Sequence, residues 1–114
     1  MSTEYIQVLT TIDSQQKAAT VAETLLQKRL AACVQIIGPI QSHYWWQGRQ
    51  EQSEEWLCVA KTRQELYPAV ESAIRQVHCY QTPEILAVPI LTGYEGYLTW
   101  LGQEVRQGRG EKLP

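Results

Sequence analysis

The hydrophobic pattern of the chain predicts an α+β domain with the element order β-α-β-β-α-β and a helix at the end. Three observations carry that reading. Apolar residues recur at helical spacing in two stretches, 14–29 and 66–77, and these alternate with strand-like runs at 4–11, 30–46, 49–61 and 84–91. The second and third runs flank a turn at Gln47-Gly48-Arg49, and each is about twice the usual strand length of about 5–6 residues. The third run is apolar on both sides, with Trp56, Cys58 and Ala60 on one face and Leu57 and Val59 on the other. Such an order is the split-βαβ, ferredoxin-like pattern, an antiparallel four-stranded sheet with both main helices on one face. It leaves the opposite face bare, and symmetric association of copies is the usual remedy.

Each element has its own warrant. Residues 4–11 hold Ile6 and Val8 in a run that suits a strand buried largely on both faces. Asp13, with Gln16 three positions on, reads as the N-cap of a helix over 14–29. Ala18, Ala22, Leu25 and Leu26 give that helix an apolar face, and Lys28 and Arg29 suit its carboxyl end. Residues 30–37 are the second strand. Gly38-Pro39 then marks a bulge, because proline cannot donate to a central ladder. Beyond the bend Ile40, Tyr44 and Trp46 share one face, and Gln41, His43 and Trp45 the other. Thr62-Arg63-Gln64-Glu65 reads as a capping box before the stripe Leu66, Val70, Ala73, Ile74 and Val77. Pro68 requires either an irregular first turn or a helix that begins near Tyr67. Residues 78–83 form a loop. Residues 84–91 form the fourth strand, and Pro89 implies that at least one of its edges is free. Thr92 to Glu95 repeats the T-x-x-E start, and Tyr94, Leu98, Leu101 and Val105 make the stripe of a third helix. Residues 1–107 are read as one domain and 108–114 as a flexible tail.

Composition narrows function by exclusion. The chain has 114 residues, is 44% hydrophobic and 19% charged, and carries a net charge of −2. That charge gives no general attraction to nucleic acid or anionic membrane. No apolar run approaches the roughly 20 residues that span a bilayer, and the first residues lack the pattern of a secretory signal. Cys33, Cys58 and Cys79 are odd in number and widely spaced, which suits a reducing cytoplasm better than a disulfide framework.

Motifs for chemistry are sparse. There is no G-x-S-x-G elbow, no dinucleotide loop and no P-loop, and two histidines leave little choice of base; the chain reads as a binding protein and not an enzyme. The metal-ligating candidates are His78 and Cys79, which adjoin in the loop but point apart if it is extended. Cys33 and Cys58 suit buried apolar roles, and His78 also suits a hydrogen-bond donor serving the last carbonyls of its helix. A polar set, Tyr44, Glu55, Lys61, Tyr80 and Glu84, suits either structural ion pairing or a ligand cleft between subunits. By strand parity Glu55 and Lys61 share a face about 20 Å apart, at ~3.3 Å per residue. Each is then expected to meet a group from another copy, with Glu84 as a candidate partner for Lys61.

The segment RLAACVQIIGPIQSHYWWQGRQEQSEEWLCVAKT, with HCYQTPEILAVPI and GYEGYLTWL after it, resembles the CutA divalent-cation-tolerance family. The likeness runs from about Tyr5 to Val105. Its specific features are L-A-A-C, the Y-x-W-x-G of Tyr44, Trp46 and Gly48, Lys61-Thr62, and Y-Q-T-P-E at Tyr80 to Glu84. The resemblance implies a ferredoxin-like subunit in a tight homotrimer, with the ribbon crossing the subunit boundary. It implies a shape similar to the PII signalling proteins, which bind small ligands between subunits. Bacterial members are linked to tolerance of copper and other divalent cations, and animal relatives to anchoring of acetylcholinesterase; no enzymatic reaction is established for the family. The expected cleft residues are Tyr44, Trp46, Lys61, Tyr80 and Glu84, with Cu2+ as a possible ligand and no required cofactor. A small anionic ligand and a scaffolding role for a partner are the alternatives. Copper binding in relatives has been assigned to a cysteine ending the first strand and to paired histidines before Y-Q-T-P-E. Here Thr10 stands at the first position, Val77 precedes His78, and Cys79 replaces the usual proline.

Overall fold

The computed structural model describes residues 4–107. Strand β1 (Tyr5–Ile12) leads to helix α1 (Gln15–Gln27), then to the long strands β2 (Cys33–Trp46) and β3 (Arg49–Arg63). A 3-10 turn (Gln64–Leu66) opens helix α2 (Tyr67–Val77), followed by β4 (Ile85–Pro89) and α3 (Glu95–Glu104). The sheet is antiparallel throughout, in the order β2-β3-β1-β4. That order is the ferredoxin-like one, with β2 and β4 as edges. Pro89 accordingly lies on an edge strand. The assigned tail, 108–114, and the first three residues lie outside the described residues.

One face of the sheet buries the core. Ile6, Val8 and Ile12 of β1 and Cys58 and Ala60 of β3 pack against Ala18, Val21 and Leu25 of α1 and Val70, Ala73 and Ile74 of α2. Val21 takes the core place expected of Leu26, which is exposed. Val77 and Tyr94 are likewise exposed, so the stripes of α2 and α3 are each one residue shorter than their spacing suggests.

The caps differ from expectation, at α1 through a choice between two adjacent local caps and at α2 through strand pairing. Ser14, and not Asp13, is the N-cap of α1; its Oγ accepts from Lys17 N at 3.1 Å. Asp13 instead pairs with Lys17 at 3.1 Å. Thr62 caps nothing, because it is drawn into the ladder opposite Ile6, and β3 runs on to Arg63. Pro68 sits in the first turn of α2, where its missing N–H costs nothing, and the 3-10 turn before it is the irregular entry. Lys28 and Arg29 follow α1, with Arg29 at φ 57, and β2 starts only at Cys33, after Leu30 and Ala31 have been buried. The T-x-x-E at Thr92 also gives no side-chain cap; Tyr94 is the residue before α3.

The ribbon has two control points. Gln47 (φ 52) and Gly48 (φ 79) both take positive φ, the signature of a two-residue type I′ hairpin, and Trp46 pairs directly with Arg49. The second point is the bulge. Ile37 pairs with Leu57 but Ile40 with Glu55, so Gly38 and Pro39 together oppose Trp56 alone. One extra residue reverses the parity of β2. Val34 and Ile36 share the helix-facing side with Ala60 and Cys58, whereas Ile40, Tyr44 and Trp46 share the other side with Glu55. Gly38 fits there because the Trp56 indole lies over its backbone; a Cβ would come within 2.7 Å of Trp56 Cγ.

The second sheet face is not wholly bare, as the sequence suggested. Helix α3 covers its end near Tyr5, Lys61 and Arg63, with Gly102 packed so close that a Cβ would lie 2.9 Å from Tyr5 Oη. The remainder stays open. Across it run Val59, Leu9 and Leu86 in one row, flanked by Ile37 and Val88. Ile37 and Leu86 are each more than half exposed.

Candidate functional site

The overhanging part of the ribbon and the loop between α2 and β4 enclose a cleft of about 770 Å³. It lies on the side of the sheet away from α1 and α2. Tyr44, Trp46, Glu55, Tyr80 and Glu84 line it, with Thr11 at its floor. Of the residues singled out by sequence, Tyr44, Trp46, Tyr80 and Glu84 are therefore brought together, and Glu55 joins them.

His78 organises the loop. It leaves α2 with extended backbone, φ −83 and ψ 145. Its Nε2 lies 2.8 Å from the Thr11 carbonyl oxygen, which can only accept. Its Nδ1 accepts from the Tyr80 backbone N–H at 3.2 Å. The two bonds assign a neutral ring with the proton on Nε2. The ring also meets Tyr80 edge-on, with centroids 4.8 Å apart. In this way a single side chain ties the loop to the end of β1 and aims Tyr80 beneath the ribbon.

Tyr80 reaches Glu55. Its phenol donates to Glu55 Oε2 at 2.7 Å, across 25 positions of sequence. Glu55 is only 6% exposed. Burial, and then the hydrogen bond and charge of Glu55, push the Tyr80 phenol well above its ordinary pKa, so it remains a donor. Tyr44 is held in turn by Ser53, Oη to Oγ 3.3 Å. Trp45 and Trp46 keep substantial exposure, 69% and 40%. No Lys or Arg lines the cleft; its acidic side chains are Glu55 and Glu84, and His43 lines it as well.

Lys61 is elsewhere. It lies opposite Cys33 and Gln7, with its ammonium 5.7 Å from the centroid of the Tyr97 ring on α3. Among the described residues Lys61 makes no ion pair with the Glu84 of its own chain. Glu55 also finds a partner inside its own chain, Tyr80, where the sequence suggested another copy. What parity along one strand could not supply was the loop curling under the ribbon. The Gly38-Pro39 bulge was visible in the sequence, and carrying its one-residue shift forward places Tyr44 and Trp46 on the face of Glu55.

A metal held by His78 and Cys79 does not fit this geometry. Both imidazole nitrogens are already engaged. The Cys79 thiol points outward, 3.8 Å from Asp13 Oδ1 and 3.6 Å from Lys17 Nζ. His78 is a hydrogen-bond donor as the sequence allowed, although to Thr11 and not to the carbonyls of α2. Thr10, at the position of the relatives' first-strand cysteine, is buried on the helix side with its hydroxyl unpartnered. Among the described residues no group of three or more His, Cys, Asp or Glu side chains converges on a metal position.

Comparison with known proteins agrees with this architecture. The family model described as "CutA1 divalent ion tolerance protein" matches residues 6–104. The divalent-cation tolerance protein CutA of Thermus thermophilus is 40% identical over 94 residues, 82% of this chain and 91% of its own length. Its counterpart in Archaeoglobus fulgidus is 40% identical over 95 residues, 83% of this chain and 92% of its own. Among solved structures, CutA1 from Oryza sativa superposes with a TM-score of 0.90 at 34% identity, covering 94% of this chain and 98% of that one. With the element order, the sheet order and the matched length all in agreement, this chain belongs to the CutA1 divalent ion tolerance protein family.

Proposed function

We propose that the chain is a homotrimeric protein of the divalent-cation response that acts by binding and not by catalysis, with its site in the cleft between ribbon and loop. The observation that carries this reading is the charge of the cleft. Glu55 and Glu84 line it together with the imidazole of His43, and no Lys or Arg does. A cation is the complementary ligand. Copper is among the cations that the family resemblance implies, and a complete set of metal ligands requires groups from more than one copy. The second sheet face supports the trimer: Ile37 at one edge of the sheet and Leu86 and Val88 at the other are exposed apolar surface, the kind that marks an interface. The free thiols Cys33, Cys58 and Cys79 suit the cytoplasm. No helix among the described residues is long and apolar enough to cross a membrane.

A small anionic ligand, of the kind PII proteins bind, would need a cation that one chain does not bring to the cleft, for example Lys61 from another copy. Calorimetric titration with Cu2+ and Zn2+ tests the reading. Binding is expected to survive His78→Ala and to fall away in Glu84→Gln. Binding that needs His78 and ignores Glu84 would contradict it. A trimer that binds no divalent cation would overturn the metal reading and favour the small anionic ligand or a scaffolding role.

A further inference from the structure

We infer that the cleft is built to hold an organic ammonium cation, a primary amine or quaternary ammonium group, against its aromatic wall. The inference rests on the same cleft as the proposed function but not on metal binding, and the two are tested separately.

The first observation is Glu55. A carboxylate only 6% exposed is costly unless a positive group or several donors compensate it. Tyr80 is its one hydrogen-bond donor among the described residues, and no ion pair reaches it. The carboxylate therefore lines the cleft with about three of its four lone-pair sites unused by donors among the described residues.

The second observation is the wall. Tyr44, Trp46 and Tyr80 line the cleft beside Glu55 and Glu84. Aromatic faces attract cations, Trp most strongly, and aromatic rings combined with a carboxylate recognise alkylated ammonium groups. A bare divalent ion makes no use of such a wall, because it takes oxygen, nitrogen or sulfur ligands at about 2.0–2.6 Å. The size agrees as well. A cleft of about 770 Å³ exceeds what one ion needs and falls within the ~300–1,000 Å³ of small-molecule sites.

Two side chains then divide the recognition. Glu55, fixed by Tyr80, accepts a hydrogen bond from an N–H of a primary ammonium or neutralises a quaternary one. Trp46, projecting to the same side of the ribbon through the bulge, covers the adjoining C–H groups, which carry much of the positive charge.

The test uses the full chain, freed of metal by chelator and dialysis. It is titrated with 1,4-diaminobutane, choline and the neutral isostere of choline, 3,3-dimethylbutan-1-ol. Calorimetry gives affinity, and proton NMR follows the ligand methyl groups for ring-current shifts. The expected result is saturable binding of both cations with upfield-shifted N-methyl signals, and roughly tenfold weaker binding of the neutral isostere. Glu55→Gln, which keeps an acceptor for Tyr80, should weaken both cations about tenfold, and Trp46→Leu choline by about threefold or more. Equal binding of choline and its isostere would overturn the inference, as would binding indifferent to Glu55→Gln. No binding by any cation, with dissociation of the assembly in Glu55→Gln, would also overturn it, since another copy would then supply the missing charge. Failure here leaves the Cu2+ titration untouched, and loss of Cu2+ binding leaves this result standing.

Discussion

Replacing Tyr80 by phenylalanine removes a single oxygen, and with it the hydrogen bond that anchors loop and ribbon. The phenol donates at 2.7 Å to a carboxylate that is 6% exposed. A bond to a charged group contributes roughly 1.5–3 kcal/mol net, and a buried acceptor left without its donor costs a similar amount. The slight exposure of Glu55 lets water compensate part of this, which gives an expected loss of about 2 kcal/mol per protomer at neutral pH. For a domain of this size that is a fall in melting temperature of about 8–16 °C. The pH dependence has a definite sign. The folded pKa of the phenol lies above its ordinary value of 10.0, so the folded state holds this proton more tightly. Its contribution is complete below pH 10 and is lost as pH rises through the folded value. Wild-type stability should therefore decline above pH 10, and that decline should be shallower in Tyr80→Phe, where only the Cys58 part of it remains. Urea unfolding of the wild type, Tyr80→Phe, Glu55→Gln and the double variant supplies the assay. The two single losses should sum to more than the double loss, because both act on the same bond: Tyr80→Phe removes its donor, and Glu55→Gln exchanges its charged acceptor for a weaker neutral one. A Tyr80→Phe protein within about 0.5 kcal/mol of wild type would refute the reasoning and show that Glu55 is compensated by other means.

Three further outcomes are expected. Gly38→Ala should cost about 1–3 kcal/mol in chemical unfolding, because its methyl group meets the Trp56 ring over the bulge; an unchanged midpoint would show that the indole can swing away. Burial raises the Cys58 thiol from 9.0 to about 11, so wild-type stability should already fall between pH 9 and 10, before Tyr80 contributes. Over the whole step the loss is about 2–3 kcal/mol, and Cys58→Ala, measured the same way, should show no slope in that interval. His78→Ala should lower stability by about 1–3 kcal/mol, since it deletes the bonds to Thr11 and Tyr80, and divalent-cation affinity measured in parallel should stay within about twofold.

Much of the fold was legible because it follows from the pattern of apolar residues. The doubled strand length around Gln47-Gly48, the two helical stripes and the strand ends led to the β2-β3-β1-β4 sheet without any long-range information. The misreadings occur where preferences compete. Asp13 and Ser14 are adjacent, and both are good caps; Ser14 takes the cap, and Asp13 pairs with Lys17 one turn on, a choice between local options that the motif does not resolve. Thr62 begins a sound capping motif, yet its backbone is worth more in the ladder opposite Ile6. The site was half legible. Tyr44, Trp46, Tyr80 and Glu84 could be named, but not the bond between Tyr80 and Glu55, which depends on how His78 folds the loop back onto Thr11. Lys61 was named for a cleft between subunits; within its own chain its ammonium lies over Tyr97 of α3, whose packing side the sequence does not reveal.

The proposed trimer rests on the apolar sheet face, where Ile37 on one edge strand and Leu86 and Val88 on the other are exposed. The most direct measurement is the mass of the purified protein, diluted to nanomolar concentration, by sedimentation velocity or single-particle mass photometry. The account predicts a species of three 13.0 kDa chains that persists at that dilution, and its dissociation by Leu86→Asp. A folded, soluble species of one 13.0 kDa chain would contradict it.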